Sequence, residues 1–254
     1  MKIVLAVFFA LGSVALVGAE TVLPGYITAA LSETARPTDQ IEQDAWRQPA
    51  ALIAFAGIKP GDRIADYMPG NGYFTRLFSR VVGPRGRVYA YLPTQQLANC
   101  EPAETAGTLA LKEDHLYSNV QVMIGASDHF SPPEKLDMVW TAQNYHDFHD
   151  KFMVPTDVAR LNAAIFKALK PGGVFLVIDH AASPGSGLRD TETLHRIDPD
   201  AIRSEVSQAG FVFEAQSDVL RNPRDSRELL VFDPAIRHKT DQVVFRFRKP
   251  VVGK

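Results

Sequence analysis

The sequence predicts an α/β protein. Its core is a doubly wound, mostly parallel seven-stranded sheet, with an antiparallel C-terminal strand and helices ahead of the first strand. Three observations predict this. Short apolar runs alternate with helix-length amphipathic segments along most of the chain. A strand, a tight glycine loop and a helix follow one another in RIADYMPGNGYFTRLF, residues 63–78. The run at 136–141 is almost uninterruptedly apolar, as a strand covered on both faces should be.

The first segment lies outside this pattern. Lys2, the apolar run Ile3 to Val17 and the small residues Val17-Gly18-Ala19 read as a secretory signal peptide cut after Ala19. The other reading of the run is an uncleaved anchor, although it is short for a span of about 20 residues. The expected address is therefore secreted or periplasmic, with no membrane attachment once the signal is removed. Residues 20–36 have no clear period and read as a mobile or docking arm. Residues 37–254 suit a single domain with its own core.

The elements then follow in order. Residues 37–56 read as two short helices interrupted at Pro49, with Ile41, Ala45 and Trp46 at helical spacing and Leu52, Ile53, Phe55 and Ala56 continuing the apolar surface. Gly57 ends the second, and Lys59-Pro60-Gly61-Asp62 turns the chain into strand one. Tyr73 to Val82 is a helix closed by Gly83-Pro84-Arg85-Gly86, and Arg87 to Leu92 is strand two. Residues 94–113 are helical but broken at Pro102 and Gly107. Val120 to Ile124 and Leu136 to Thr141 are strands three and four. A helix over 156–169 leads through the turn Lys170-Pro171-Gly172-Gly173 into strand five, Val174 to Ile178. Asp198 caps a helix with Pro199 at its first position, and Gly210 ends it. Phe211 to Leu220 is strand six. Val243 to Arg248 alternates Phe245 and Phe247 with arginines, as an antiparallel or edge strand does, which would permit pairing between copies.

Composition excludes several classes. With 27 Lys and Arg against 29 Asp and Glu, a nucleic-acid partner has no electrostatic support. Cys100 is the only cysteine, so neither an internal disulfide nor a cysteine-rich zinc site exists, and an inert thiol is the expected reading.

The Asp66…Pro69-Gly70-Asn71-Gly72-Tyr73 loop is the first candidate site. Glycine lets backbone approach a ligand, and the first turn of the following helix offers unpaired N–H groups. A bare two-glycine loop is also an ordinary turn. The ligand reading rests on its setting, between a strand and a helix with a second strand soon after.

This loop resembles that of the class I S-adenosylmethionine-dependent methyltransferases. So do the 136–140 strand, Leu169-Lys170-Pro171-Gly172-Gly173 and Gln208-Ala209-Gly210-Phe211. The likeness covers about residues 40–249. More narrowly, the chain is similar to a group of exported, predicted methyltransferases. That likeness lies at 58–62, 72–76, 144–147 and 194–198. The resemblance implies a Rossmann-like methyltransferase fold and S-adenosylmethionine as cofactor. It places the cofactor against Asp66, Pro69, Gly70, Asn71, Gly72, Tyr73 and Asn144, with Asp128 towards the adenine; Asp128 also reads as a plain loop residue. Two positions depart from the pattern. Met68 stands where the first loop glycine is usual, and strand two carries no acidic residue for the ribose hydroxyls. Loss of such a charged acceptor costs roughly 1.5–3 kcal/mol, or about ten- to a hundred-fold in affinity.

The second candidate is NYHDFHD, residues 144–150, after strand four. IDH (178–180) ends strand five, and LHRID (194–198) follows a glycine-containing loop. Ligands bind outside the carboxyl ends of such strands. Three readings stay open. His146 or His180 is a general base, with Asp147 and His195 beside it. His146, His149 and Asp179 bind a divalent metal. Or these side chains simply bond loop backbone and cap helices. The arginines of 221–241 either cover an anionic substrate or belong to a solvated insertion. The expected activity is methyl transfer to a small molecule in the cell envelope. The alternatives are a metal-assisted enzyme and a non-catalytic ligand-binding protein on the same fold.

Overall fold

The computed structural model describes residues 23–251, so the expected signal peptide lies outside the described residues. Four short helices precede the sheet: α1 (Gly25–Leu31), α2 (Thr38–Glu42), α3 (Asp44–Arg47) and α4 (Pro49–Ala56). The chain then runs through β1 (Arg63–Tyr67), α5 (Tyr73–Val82), β2 (Arg87–Pro93), α6 (Thr94–Asn99), α7 (Ala106–Ala110), β3 (Val120–Gly125) and β4 (Leu136–Ala142). It ends with α8 (Val158–Ala168), β5 (Leu169–His180), α9 (Thr191–Leu194), α10 (Pro199–Gln208), β6 (Val212–Ser217) and β7 (Gln242–Arg248).

The seven strands form one sheet in the order β3-β2-β1-β4-β5-β7-β6. The first five are parallel, and β7 runs antiparallel to both β5 and β6. Core layers cover both faces. One packs Leu161, Ile165 and Phe175 beneath α8 and α10; the other packs Ile53, Leu77, Phe78 and Trp140 beneath α1, α4 and α5. Strand order reverses between β1 and β4. The connections leaving their carboxyl ends lead to α5 on one face and α8 on the other, which leaves the crevice in which such sheets bind ligands.

Several expectations need correction. The segment after residue 20 contains α1, which seats Ile27 and Ala30 against α5, so this part of the arm docks. The 37–56 region makes three helices, because Gln48 turns left-handed at φ 48° and separates α3 from α4. Ile41 is exposed and so is Ala45, whereas Leu52, Ile53 and Ala56 on α4 are buried as expected. Lys170-Pro171-Gly172-Gly173 is absorbed into β5 as an irregularity, where pairing with β4 jumps from Leu136–Leu169 to Met138–Val174. Strand six is shorter than expected and forms the sheet edge. Strand seven is interior, and Phe245 and Phe247 are buried against their neighbours rather than presented at an edge.

Candidate functional site

The glycine loop is scaffolded from behind. Met68, Gly70 and Gly72 all have positive φ (58°, 54° and 78°), so the loop keeps a left-handed turn at alternate positions even where methionine replaces glycine. A Cβ on Gly72 would stand 3.0 Å from both the Arg76 guanidinium and Thr108 Oγ1. Arg76 donates to the carbonyls of Asn71 (2.7 Å), Gly72 (3.2 Å) and Gly107 (3.0 Å). It therefore faces backbone, not the solvent or carboxylate its helix position suggests. Thr108 donates to the Gly70 carbonyl and Gln40 to that of Asn71.

In front of the loop is a cavity of about 190 Å³ lined by Asp39, Gln43, Arg47, Asp66, Pro69, Gly70, Asn71, Tyr73 and Asn144 among others. Asn144 closes one end by donating to the Met68 carbonyl (2.9 Å). Asp66 accepts from Thr75 Oγ1 (2.6 Å) and is nearly inaccessible; burial pushes its carboxyl up to about 7. The Tyr73 hydroxyl donates to Asp44 (2.6 Å). Arg47 bonds Gln43 Oε1 (2.9 Å) and lies over the Tyr73 ring at 4.8 Å; burial draws its guanidinium below the usual range. Nothing in the sequence had singled out Arg47.

No residue of β2 or β3 lines this cavity. The space above them holds a packed aromatic group instead: Tyr67 lies 5.0 Å from Tyr91, 5.4 Å from Phe130 and 5.7 Å from Phe148. Asp128 is not brought to the cradle. It bonds His129 (2.7 Å) and faces Arg160 (3.4 Å), as a loop residue does.

A second cavity of about 430 Å³ adjoins the first and shares Asp39, Gln43, Arg47 and Gln143 with it. Its far wall comes from the 221–241 stretch: Val231, Phe232, Arg237, His238 and Thr240. His238 stacks on Trp46 at 4.4 Å. Of the arginines in that stretch, Arg221 and Arg227 pair with Asp241, whereas Arg237 lines the cavity. His180 lines it too. Its Nδ1 lies 2.7 Å from Thr240 Oγ1, and burial pulls it down to about 3, so the ring is neutral at neutral pH.

The histidine–aspartate residues converge only in part. Asp179, fully buried, accepts from the His146 backbone N–H (2.8 Å) and sits 2.8 Å from His146 Nδ1. His146 Nε2 is 3.0 Å from Asp147 Oδ1 and 3.2 Å from His195 Nδ1. Burial works against its charge, but Asp179 and Asp147 outweigh that and hold His146 well above the usual range. Burial likewise opposes ionisation of Asp147, yet His146 and His195 bring it down to about 2. His195 carries this arrangement at φ 51°, a strained left-handed residue, and its ring packs 5.2 Å from Phe232. His149 does not join the group. It pairs instead with Glu205 of α10 at 3.2 Å. The set His146, His149 and Asp179 is thus corrected: the residues that come together are His146, Asp147, Asp150 and His195, each offering a ligand atom within 4.8 Å of the others. Asp150 closes the very run that drew attention in the sequence. Cys100 stands apart from this group, and burial pushes its thiol up to about 11, as suits an inert side chain.

No protein-family profile matches the chain. A protein-L-isoaspartate O-methyltransferase from Ignicoccus hospitalis is 29% identical over 136 residues, 54% of this chain and 55% of the relative. A ubiquinone/menaquinone biosynthesis C-methyltransferase, UbiE, from Vibrio cholerae is 29% identical over 149 residues, 56% of this chain and 52% of the relative. The chain thus spans about half the length of the curated relatives it matches. Among solved structures, an S-adenosylmethionine-dependent methyltransferase from Aquifex aeolicus superposes with a TM-score of 0.57 at 14% identity, covering 84% of this chain and 94% of that one. The fold of this chain is the Rossmann-like fold of those enzymes.

Proposed function

We propose that this chain is an S-adenosylmethionine-dependent methyltransferase acting on a small molecule. The observation that carries the reading is the pair of adjoining cavities at the strand-order reversal, joined through Arg47 and Gln143. The inner cavity is lined by Arg47 and by the acidic residues Asp39 and Asp66. That pairing complements the carboxylate and ammonium of an amino-acid end group. The relatives, named as methyltransferases, point the same way.

The fit is good for the amino-acid end and poor for the ribose. Asp66, Gly70, Asn71, Tyr73 and Arg47 would hold the former. At the carboxyl end of β2 stand Tyr91, Leu92 and Pro93, with no carboxylate for the sugar. When bound, the cofactor supplies an electrophilic methyl group on a sulfonium. The chain's own residues orient the acceptor, and positioning of this kind supplies most of the rate in such transfers. Trp46 and Phe232 give the outer cavity apolar walls, Arg237 gives it positive charge, and His180 gives it a neutral imidazole. His180 is therefore the imidazole placed to exchange a hydrogen bond with the acceptor. His146 is almost wholly enclosed, with both ring nitrogens engaged. We place the protein's site of action outside the cytosol, on the export-signal character of residues 1–19. Within 23–251, no helix is long and apolar enough to cross a membrane.

Calorimetric titration tests this. Saturable binding of S-adenosylmethionine should weaken in Arg47→Ala and Asp66→Asn and persist in His180→Ala, which should lose methyl transfer in a parallel turnover assay despite full binding. Equal loss of binding in all three would remove the two-cavity assignment.

A further inference from the structure

We infer that His146, Asp147, Asp150 and His195 form a binding site for a divalent transition-metal ion, with zinc the best match. This goes beyond methyl transfer and does not depend on it. The donor spacing is the first argument. Four ligands at roughly 2.1 Å in a tetrahedron stand about 3.4 Å apart. Here His146 Nε2 lies 3.0 Å from Asp147 Oδ1 and 3.2 Å from His195 Nδ1, and His195 Nδ1 lies 3.7 Å from Asp147 Oδ1. Asp150 completes the set, all four donors lying within 4.8 Å of one another. Two imidazoles and two carboxylates are a donor set that suits zinc.

The second argument is independent of spacing. Asp150 is only 2% exposed, and its Oδ1 has no hydrogen-bond partner. A buried carboxylate oxygen without a partner is costly, and a cation resolves it. The third is charge. Asp150 and Asp179 are buried and Asp147 half-buried, and among the described residues the only basic partners of Asp147 and Asp179 are the histidines, with no lysine or arginine on any of the three. Two carboxylate ligands balance a divalent ion. The fourth is the outer layer. Asp179 engages both the backbone N–H and the Nδ1 of His146, which fixes the ring with Nε2 turned into the cluster. Carboxylates behind metal-binding histidines do this. The site would sit beside the outer cavity, since Phe232, which lines that cavity, packs on His195.

The test uses the whole protein, produced without a polyhistidine tag, stripped with a chelator and titrated with cobalt(II) and zinc(II). Expected are one ion per chain and the intense visible absorption of tetrahedral cobalt. Asp150→Asn, nearly the same shape, and His195→Ala, at the partly open edge, should each lose that absorption. Asp179→Asn should keep the spectrum but weaken affinity roughly ten- to a hundred-fold. His149→Ala, whose partner is Glu205, should bind as the parent does. Circular dichroism establishes that each variant is folded. If the parent takes up no ion, or if folded Asp150→Asn and His195→Ala bind as well as the parent, the site does not exist. Titration of the same samples with S-adenosylmethionine separates the two proposals: ion uptake without cofactor binding sinks only the methyltransferase reading, and the converse sinks only this one.

Discussion

Asp66 shows how one residue ties stability to ligand binding. Burial lifts its carboxyl to about 7. Between pH about 4 and 7 the folded protein keeps a proton that the unfolded chain has released. Stability therefore falls as pH rises through that window. Asp66→Asn should flatten this slope in urea unfolding measured from pH 4 to 8. The sign reverses for a ligand ammonium, which prefers the ionised carboxylate. Cofactor affinity should climb as pH passes 7 in the parent and stay level in Asp66→Asn. Gly72 makes a packing prediction. Gly72→Ala meets positive φ and two 3.0 Å contacts at once and should cost about 1–3 kcal/mol of stability by thermal unfolding. Legibility differed at this scale. Asp66 and the loop glycines were readable because backbone geometry demands residue types. Arg47, Asp150 and the displacement of Asp128 were not, because each depends on contacts between segments distant in sequence.

At the scale of elements, the loop and α5 form one unit with α7. Arg76, the Asn71 side chain and Thr108 tie them together through the loop's own carbonyls and the α7 amide. Arg76→Met should remove three charge-assisted hydrogen bonds, while Gln40 and the backbone N–H of residue 76 still reach the Asn71 and Gly72 carbonyls. We expect a loss of about 3 kcal/mol in urea unfolding and weaker cofactor binding, with acceptor-side residues unaffected. The strand–loop–helix order was legible from its period and punctuation. The length of β5 was not: its Lys-Pro-Gly-Gly start reads locally as a turn, and pairing of Leu169 with Leu136 makes it strand. The same holds for Ile41, apolar yet exposed, since which helix face meets the core is settled only by docking.

Across the whole molecule, the long connection from β6 to β7 makes the outer cavity possible. Arg196, fully enclosed, pins it with paired bonds to Asp225 (2.8 and 3.2 Å), and donates to the carbonyls of Leu229 and Ala181. Arg196→Ala would strand a buried carboxylate and should cost about 3–5 kcal/mol, a large share of the roughly 5–15 kcal/mol of a typical domain. Equilibrium urea unfolding reads this directly. The architecture was legible because alternation of strands and helices leaves few topologies. The interior place of β7 was less so: alternating Phe and Arg fits an edge, but here the arginines lie on a face where Glu214, on the neighbouring strand β6, pairs with both.

Binding of S-adenosylmethionine in the cradle between β1 and α5 is read by calorimetric titration at pH 8. Expected is one saturable site per chain, weaker by about ten- to a hundred-fold than one with a ribose carboxylate, and weakened further in Arg47→Ala. Absence of any binding heat at millimolar cofactor, from protein shown to be folded, would rule the cradle out.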